Sequence, residues 1–282
     1  MTPAGAPPAL VPPPLTDPVS IATAGRVSRL RLVAFDLDDT LAASKCRLET
    51  AMVAALASLL DRWDVCIISG GSVAQFEDQV LAAAASDWDL SRLHLMPTCG
   101  TQYLRWAGHW ASRYAETLTQ DERRTAMEAL ERSARLLGYW ETSPWGARIE
   151  DRGTQITFSA LGQQAPVEAK GRWDPDGSKR CRLRDLVQQG LAGLDVRVGG
   201  STSLDVTRMG IDKSYGMRKL ATELEVGYDE MLFIGDRLEP GGNDFAVRAL
   251  GIPCVAVQGW QDTLAIIGRL VAADDASARS PA

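Results

Sequence analysis

The 282-residue chain has only two histidines, His94 and His109. Neither stands beside a plausible nucleophile, so hydrolytic triads and histidine-rich metal sites are not expected. Its five cysteines (Cys46, Cys66, Cys99, Cys181 and Cys254) are odd in number, widely spaced and without a CxxC. That usage argues against a disulfide framework or a zinc site and predicts a reducing cytosol. Positive charge is not in excess: 30 Lys and Arg against 36 Asp and Glu leave a net charge of -6. Nucleic acid and anionic membrane surfaces are therefore disfavoured as partners, and small molecules are expected instead. No apolar run approaches the length of a bilayer span, and the N-terminus lacks the basic-then-apolar layout of a signal peptide, so the expected location is the cytoplasm.

Proline is concentrated rather than scarce, with seven of the fourteen in the first eighteen residues, among Ala and Gly. Such a composition buries too little apolar surface to offset its ordering entropy, so residues 1–27 are expected to be disordered, as is a short tail over 273–282. From Arg29 the pattern turns to strand, helix, strand: LRLVAFD, then RLETAMVAALASLLDRW with helical spacing, then VCIIS. A helix is predicted over Ser72 to Ala85 and a third strand at HLMP, residues 94–97. Around Ala107 the texture becomes aromatic and charged, with a helix over DERRTAMEALERSARLLG and alternating stretches GTQITFSAL and LDVRVGG that read as antiparallel sheet. The parallel pattern resumes after Gly210 with KSYGMRKLATELE, MLFIGD, NDFAVRAL, CVAVQ and a last helix. The expected fold is an α/β core over 28–106 and 208–272, interrupted by an α+β insertion over 107–207.

Four short segments carry the chemistry. In DLDDT, Asp36 and Asp38 would share one face at the end of a buried strand, opening into the crevice beyond the sheet. Two carboxylates ~5 Å apart at an effective dielectric of ~20 repel by about 3 kcal/mol, so a cation is required nearby; a solvated turn or helix cap is the blander alternative. In CIISGGSVAQ, Ser69 ends a strand, Gly70 and Gly71 allow close backbone approach, and Ser72 with Gln75 forms a capping box, together a phosphate cradle or merely a tight turn. In GIDKSYG, Lys213 lies in the first turn of a helix, where the macrodipole disfavours a cation by up to ~1 kcal/mol unless something anionic compensates; most lysines are simply solvated. In MLFIGDRLEPGGND, Asp236 follows a buried strand and a glycine-rich loop presents Asn243 and Asp244, the latter also readable as a first-turn acid. WDPDG, residues 173–177, hints at a calcium loop but lacks later acidic ligands and reads as a turn.

The order of these four segments resembles the haloacid dehalogenase superfamily, from Arg29 to about residue 270. The resemblance narrows to subfamily IIB, whose C2-type cap would be the insertion: GGSTSLDV, GIDKSYG and FIGDRLEPGGND are similar to stretches of eukaryotic-type phosphomannomutases and their bacterial hydrolase relatives, and EDRG, residues 150–153, to a cap segment there. It implies a Rossmann-like three-layer core, a Mg²⁺ cofactor and a phosphorylated sugar as substrate. Asp36 would be the nucleophile and Asp38 the general acid/base, with Ser69 and Lys213 as phosphate ligands. Asp36, the Asp38 carbonyl, Asp236 and Asp244 would hold the metal, and Lys45, Gly70, Gly71, Arg152, Ser203, Asp205 and Asn243 would meet the substrate. A homodimer through the cap is also suggested by the family. Two positions depart from the mutase pattern, Gln163 and Lys45 in place of arginines, and Lys cannot reproduce a bidentate fork. A sugar-phosphate phosphatase is therefore preferred over a phosphomannomutase. A phospho-receiver domain fits less well, because its phosphorylated Asp sits on a later strand and needs no such cap, and a non-catalytic binding protein is disfavoured by the complete set of chemical positions.

Overall fold

A computed structural model describes residues 12–18, 20 and 24–279. In chain order the elements are α1 (Ala24–Val27), β1 (Leu32–Phe35), α2 (Thr50–Leu60), β2 (Asp64–Ile68), α3 (Val73–Phe76, continued by a π-turn over Glu77–Leu81), β3 (Leu93–Met96), β4 (Gln102–Trp106) and β5 (Trp110–Ala115). There follow α4 (Gln120–Leu136), β6 (Ile149–Asp151), β7 (Ile156–Ser159), α5 (Val167–Trp173), α6 (Ser178–Gln188), β8 (Leu194–Val198) and β9 (Ser203–Arg208). The chain ends with α7 (Lys213–Leu224), β10 (Met231–Gly235), α8 (Phe245–Ala249), β11 (Cys254–Ala256) and α9 (Trp260–Ala278).

A seven-stranded sheet of order β11-β10-β1-β2-β3-β4-β5 forms the core. Its strands from β11 to β3 are parallel, and β4 and β5 close one edge as an antiparallel hairpin. Every residue of β1 and β10 is buried, which is why LVAF and MLFIG are apolar without alternation. Val33, Phe35, Val65, Ile67, Leu232 and Ile234 pack on one face under α2 and α9, while Leu32, Ala34, Cys66, Ile68, Met231 and Phe233 pack on the other under α7 and α8. The chain leaves β1 toward β2 on one side and returns through β10 on the other, so the crevice beyond their carboxyl ends is a topological switch point.

The insertion is a four-stranded antiparallel sheet of order β6-β7-β9-β8. Ile156, Phe158, Leu204 and Val206 pack against Leu130 of α4 and Leu183 and Val187 of α6. Strand alternation turns Thr157, Asp205 and Thr207 to the opposite face, toward the core. A Thr119–Glu122 capping box starts α4, and Arg208 of β9 donates to both Glu122 and the Thr117 carbonyl, bringing the two chain crossings together.

Four boundaries differ from the sequence expectations. The 107 boundary moves, because Trp110–Ala115 pairs with β4 in the core sheet and the insertion begins only after it; half-exposed edge strands with aromatic residues look like a change of domain. The helix expected over Ser72 to Ala85 ends at Leu81 through the π-turn. The tail expected to be disordered is helical to Ala278. At the other end, Thr16 N donates to the Cys254 carbonyl (2.8 Å) and Arg248 to the Pro13 carbonyl (2.8 Å), while Arg26 of α1 donates to the Met231 carbonyl (2.6 Å). Hydrogen bonds to core carbonyls and from the core residue Arg248 thus order residues that composition alone leaves free; the rest of 1–27 and of 273–282 lies outside the described residues. WDPDG is a turn, in which buried Asp174 accepts from the Lys179 and Arg180 amides (3.0 and 3.1 Å) at the start of α6. Among the described residues no helix is long and apolar enough to cross a membrane.

Candidate active site

Asp36 follows the last residue of β1, and its amide donates to the Ile234 carbonyl at 3.0 Å, which fixes it at the edge of the sheet beside β10. The Lys213 ammonium lies 2.6 Å from Asp36 Oδ1 and 2.5 Å from Asp244 Oδ1. Carboxylate oxygens of Asp36, Asp236 and Asp244 lie within 4.8 Å of one another. Helix α7 reaches this point because its backbone touches that of the Thr98–Gly100 turn: a Cβ on Gly100 would fall 2.4 Å from Gly216 Cα. Asp212 caps the helix by accepting from Tyr215 N (3.2 Å), placing a negative charge at the end where Lys213 needs one.

Three carboxylates and one ammonium leave this buried cluster two negative charges in excess. Burial accordingly pushes the Asp36 carboxyl well above the usual carboxylate range against the opposing pull of Lys213, with Asp244 adding to the rise. Burial and the neighbouring Asp244 raise Asp236 to about 6. The two carboxylates outweigh burial at Lys213 and hold its ammonium charged. A divalent cation would cancel the excess, and a set made wholly of hard oxygen donors fits Mg²⁺.

Asp38 stands apart from the cluster. Its Oδ1 accepts from Lys45 N (2.7 Å) and Gln79 Nε2 (3.2 Å), and its Oδ2 from Gln75 Nε2 (2.9 Å). Its side chain is therefore free of the three clustered acids, as expected of a residue that would reach a metal only through its carbonyl. The expected capping box at Ser72 is half formed: Ser72 accepts from Gln75 N (3.4 Å), but the Gln75 side chain is used on Asp38. Gln79 belongs to the π-turn, a device that often rotates one side chain into a functional site.

A cavity of about 580 Å³ separates this centre from the insertion. Asp36, Asp38, Lys45, Ser69, Lys213 and Asn243 face it from the core with Gly70 and Gly71, and Arg152, Ser203 and Asp205 face it from the cap. Asp236 and Asp244 lie in the acid cluster at its floor. Ser69 Oγ accepts from Gly71 N (3.1 Å), which folds the turn back under the cavity. Asp205 is half-buried, and its desolvation raises its carboxyl above the usual range.

The model of the eukaryotic phosphomannomutase family matches residues 143–272. The phosphomannomutase of Saccharomyces cerevisiae is 23% identical over 264 residues, 85% of this chain and 93% of that enzyme. That of Schizosaccharomyces pombe is 32% identical over 107 residues, a match that spans only 40% of that enzyme and 36% of this chain. Among solved structures, trehalose-6-phosphate phosphatase of Aspergillus fumigatus superposes with a TM-score of 0.54 at 17% identity over 92% of this chain and 99% of that one. IMP-nucleotidase of Plasmodium falciparum gives 0.64 at 17% identity over 89% of this chain and 64% of that one. The chain is thus similar in sequence to eukaryotic phosphomannomutases and shares the fold of these solved phosphatases.

One residue expected to meet the substrate is engaged within the protein instead. Arg152 was expected to grip substrate phosphate, but its Nη1 donates to the Gly70 carbonyl (2.6 Å) and its Nε and Nη2 to Glu150 (3.0 and 2.7 Å). The other guanidinium groups that the cap turns to the cavity are likewise engaged within the protein, Arg197 by Asp195 and Asp212 and Arg184 by Asp185, whereas Arg237 of the core only approaches Glu239 at 3.8 Å. Gln163 does reach the cavity, and its Nε2 is buried without a partner, as is Thr207 Oγ1. Gln75, Gln79, Gln155 and Thr207 escaped sequence reasoning. Amides and hydroxyls carry no periodic or charge signal; the only hint was the Ser72–Gln75 pair, read there as a cap.

Proposed function

We propose that this chain is a phosphoryl-transfer enzyme that acts on a small phosphorylated sugar, with Asp36 carrying the phosphoryl group and water as the final acceptor. The observation that supports it most is the Lys213 ammonium seated between Asp36 and Asp244 at the floor of a cavity roofed by the polar face of the cap. Asp36, Asp236 and Asp244, with the Asp38 carbonyl, would hold a Mg²⁺ ion, which when bound offsets their excess charge and that of the phosphoryl oxygens.

Asp36 attacks phosphorus in line, forming an O–P bond to its carboxylate as the sugar O–P bond breaks. Lys213 and Ser69 stabilise the phosphoryl oxygens, in a pocket where fixed donors cost no reorganisation. Asp38 protonates the departing sugar oxygen, then takes a proton from the water that attacks the aspartyl phosphate and releases inorganic phosphate. Gln75 and Gln79 hold the Asp38 carboxylate between those two transfers.

Hydrolysis is favoured over mutation of the phosphate position by the charge of the cap. A hexose bisphosphate needs a second bidentate clamp, yet Arg152, Arg184 and Arg197 all face carboxylates of their own and Gln163 is neutral. The second reading, a phosphomannomutase, is supported by the yeast relative of that name, matched over 93% of its length. Incubation with mannose 1-phosphate, glucose 1-phosphate and their 6-phosphates, with and without a catalytic hexose bisphosphate, separates the two. Free phosphate supports hydrolysis, isomerised sugar phosphate supports the mutase, and neither product would overturn a sugar-phosphate substrate.

A further inference from the structure

The hairpin tip that joins β6 to β7 is the piece of the cap that meets the core. Arg152 N donates to the Gln155 carbonyl (2.9 Å), closing a two-residue loop of Gly153 and Thr154, and Gly153 takes φ = 76°. Thr154 Oγ1 donates to Thr98 Oγ1 (2.9 Å) and accepts from Thr101 Oγ1 (2.7 Å), a buried ring of hydroxyls across the seam. Arg152 Nη1 and Gln155 Nε2 both donate to one core acceptor, the carbonyl of Gly70, at 2.6 and 3.2 Å. Gly70 is the residue after Ser69, so two cap side chains hold the turn that presents the phosphate-facing hydroxyl.

Gln155 does more than Arg152. It is 1% exposed, and the same amide nitrogen lies 2.8 Å from Asp205 Oδ1 and 2.9 Å from Thr157 Oγ1. Thr157 also donates to Asp205 Oδ1 (2.7 Å). Both donors thus load one oxygen of the carboxylate, while Oδ2 lies on the side of Gly70 and Gly199, which line the cavity. The amide has two hydrogens for three acceptors, so a change at Asp205 alters what Gln155 gives to Gly70.

Resting on the function proposed above, we propose that Gln155 is a positioning residue that aims Asp205 Oδ2 at a sugar hydroxyl and at the same time holds the Gly70 carbonyl, joining sugar recognition in the cap to the Ser69 turn in the core. The sugar itself would donate to Asp205, so the group recognised is a neutral polyol hydroxyl rather than a second anion.

The test uses the full chain with Gln155→Met, which keeps length and removes the donor, and Thr157→Val, which removes the other donor to Asp205 and a competing acceptor of the Gln155 amide but keeps the donor to Gly70. Hydrogen exchange without any substrate is measured over Ser69–Ser72 and over β2. Gln155→Met should raise exchange in the turn about tenfold with β2 unchanged, and Thr157→Val should raise neither, the difference expected when one tether to a charged or carbonyl acceptor is lost. In turnover, KM for the sugar phosphate should rise about 10- to 100-fold in Gln155→Met and less in Thr157→Val. The rise for p-nitrophenyl phosphate, which has no hydroxyl for Asp205, should be at least about fivefold smaller. Unchanged exchange in Gln155→Met, or equal losses on both esters, overturns the proposal. A wild-type protein that turns over neither ester defeats the function proposed above, while the exchange measurement still decides the tether.

Discussion

The acid centre of the core and the polar face of the cap line one cavity and are built on opposite terms. In the centre, charge is concentrated and shared: one ammonium serves two carboxylates within 2.6 Å, a third acid lies beside them, and burial raises both Asp36 and Asp236. On the cap face, the arginine charges are already paired, and what is left toward the cavity is the Asp205 carboxylate among neutral groups, including the partnerless Gln163 amide nitrogen and Thr207 hydroxyl. A site with excess charge demands a particular ion and a particular reacting group. A face of unpaired hydroxyls and amides leaves room for substrates that differ in their hydroxyls, so reaction type belongs to the core and substrate choice to the cap.

The largest break in that comparison should come from Asp36→Asn, which removes the attacking oxygen: Mg²⁺-dependent phosphate release should fall by at least about 10³-fold, as for other nucleophile deletions. Thermal melting should hold or improve, because one of three crowded acids becomes neutral. Lys213→Met should come next, costing both activity and about 3–5 kcal/mol of stability, since Asp36 and Asp244 lose their buried counter-charge. Urea unfolding with and without Mg²⁺ checks this, and full stability in EDTA would contradict it.

Two smaller effects should stay on the cap side. Gln163→Arg restores a cation to the neutral face and should raise kcat/KM for a hexose bisphosphate by about 10-fold, the worth of one charge-assisted hydrogen bond, without improving a hexose monophosphate. Coupled assays on both esters read the ratio. Glu122→Gln should touch neither chemistry nor neutral stability greatly. Arg208 and the Thr119 amide hold the Glu122 carboxyl down at about 2 from its ordinary 4.5, so its contribution is complete above pH 4.5 and disappears as pH falls toward 2. The pair is partly solvent-exposed, which limits the effect to about 1 kcal/mol. Acid unfolding should show a shallower slope for the variant between pH 4.5 and 2, and parallel curves would assign the acid sensitivity elsewhere.

How much of this could be read in advance follows the same division. Parallel strands buried on both faces announce themselves as unbroken apolar runs, and an acid directly after such a run, as at Asp36 and Asp236, has few structural reasons to be there. The acids, Lys213 and Ser69 were legible for that reason. The edge strand β5 was not, because half-exposed aromatic residues carry no clean alternation. Residues 12–18 and 24–27 were read as free because their partners are carbonyls of strands far along the chain, such as those of Met231 and Cys254. The hold of Gln75 and Gln79 on Asp38 reaches back across 37 and 41 residues, and the engagement of Arg152 depends on where the cap sits, neither of which is local in sequence.

The chain enters the cap near Thr117 and leaves it near Arg208, and the Arg208 side chain spans the two crossings by donating to the Thr117 carbonyl at 3.0 Å. The gap that removing the intervening domain would leave is therefore short enough for a linker of a few residues. A different four-stranded insertion could be spliced onto the same base at this point without stretching the seven-stranded sheet.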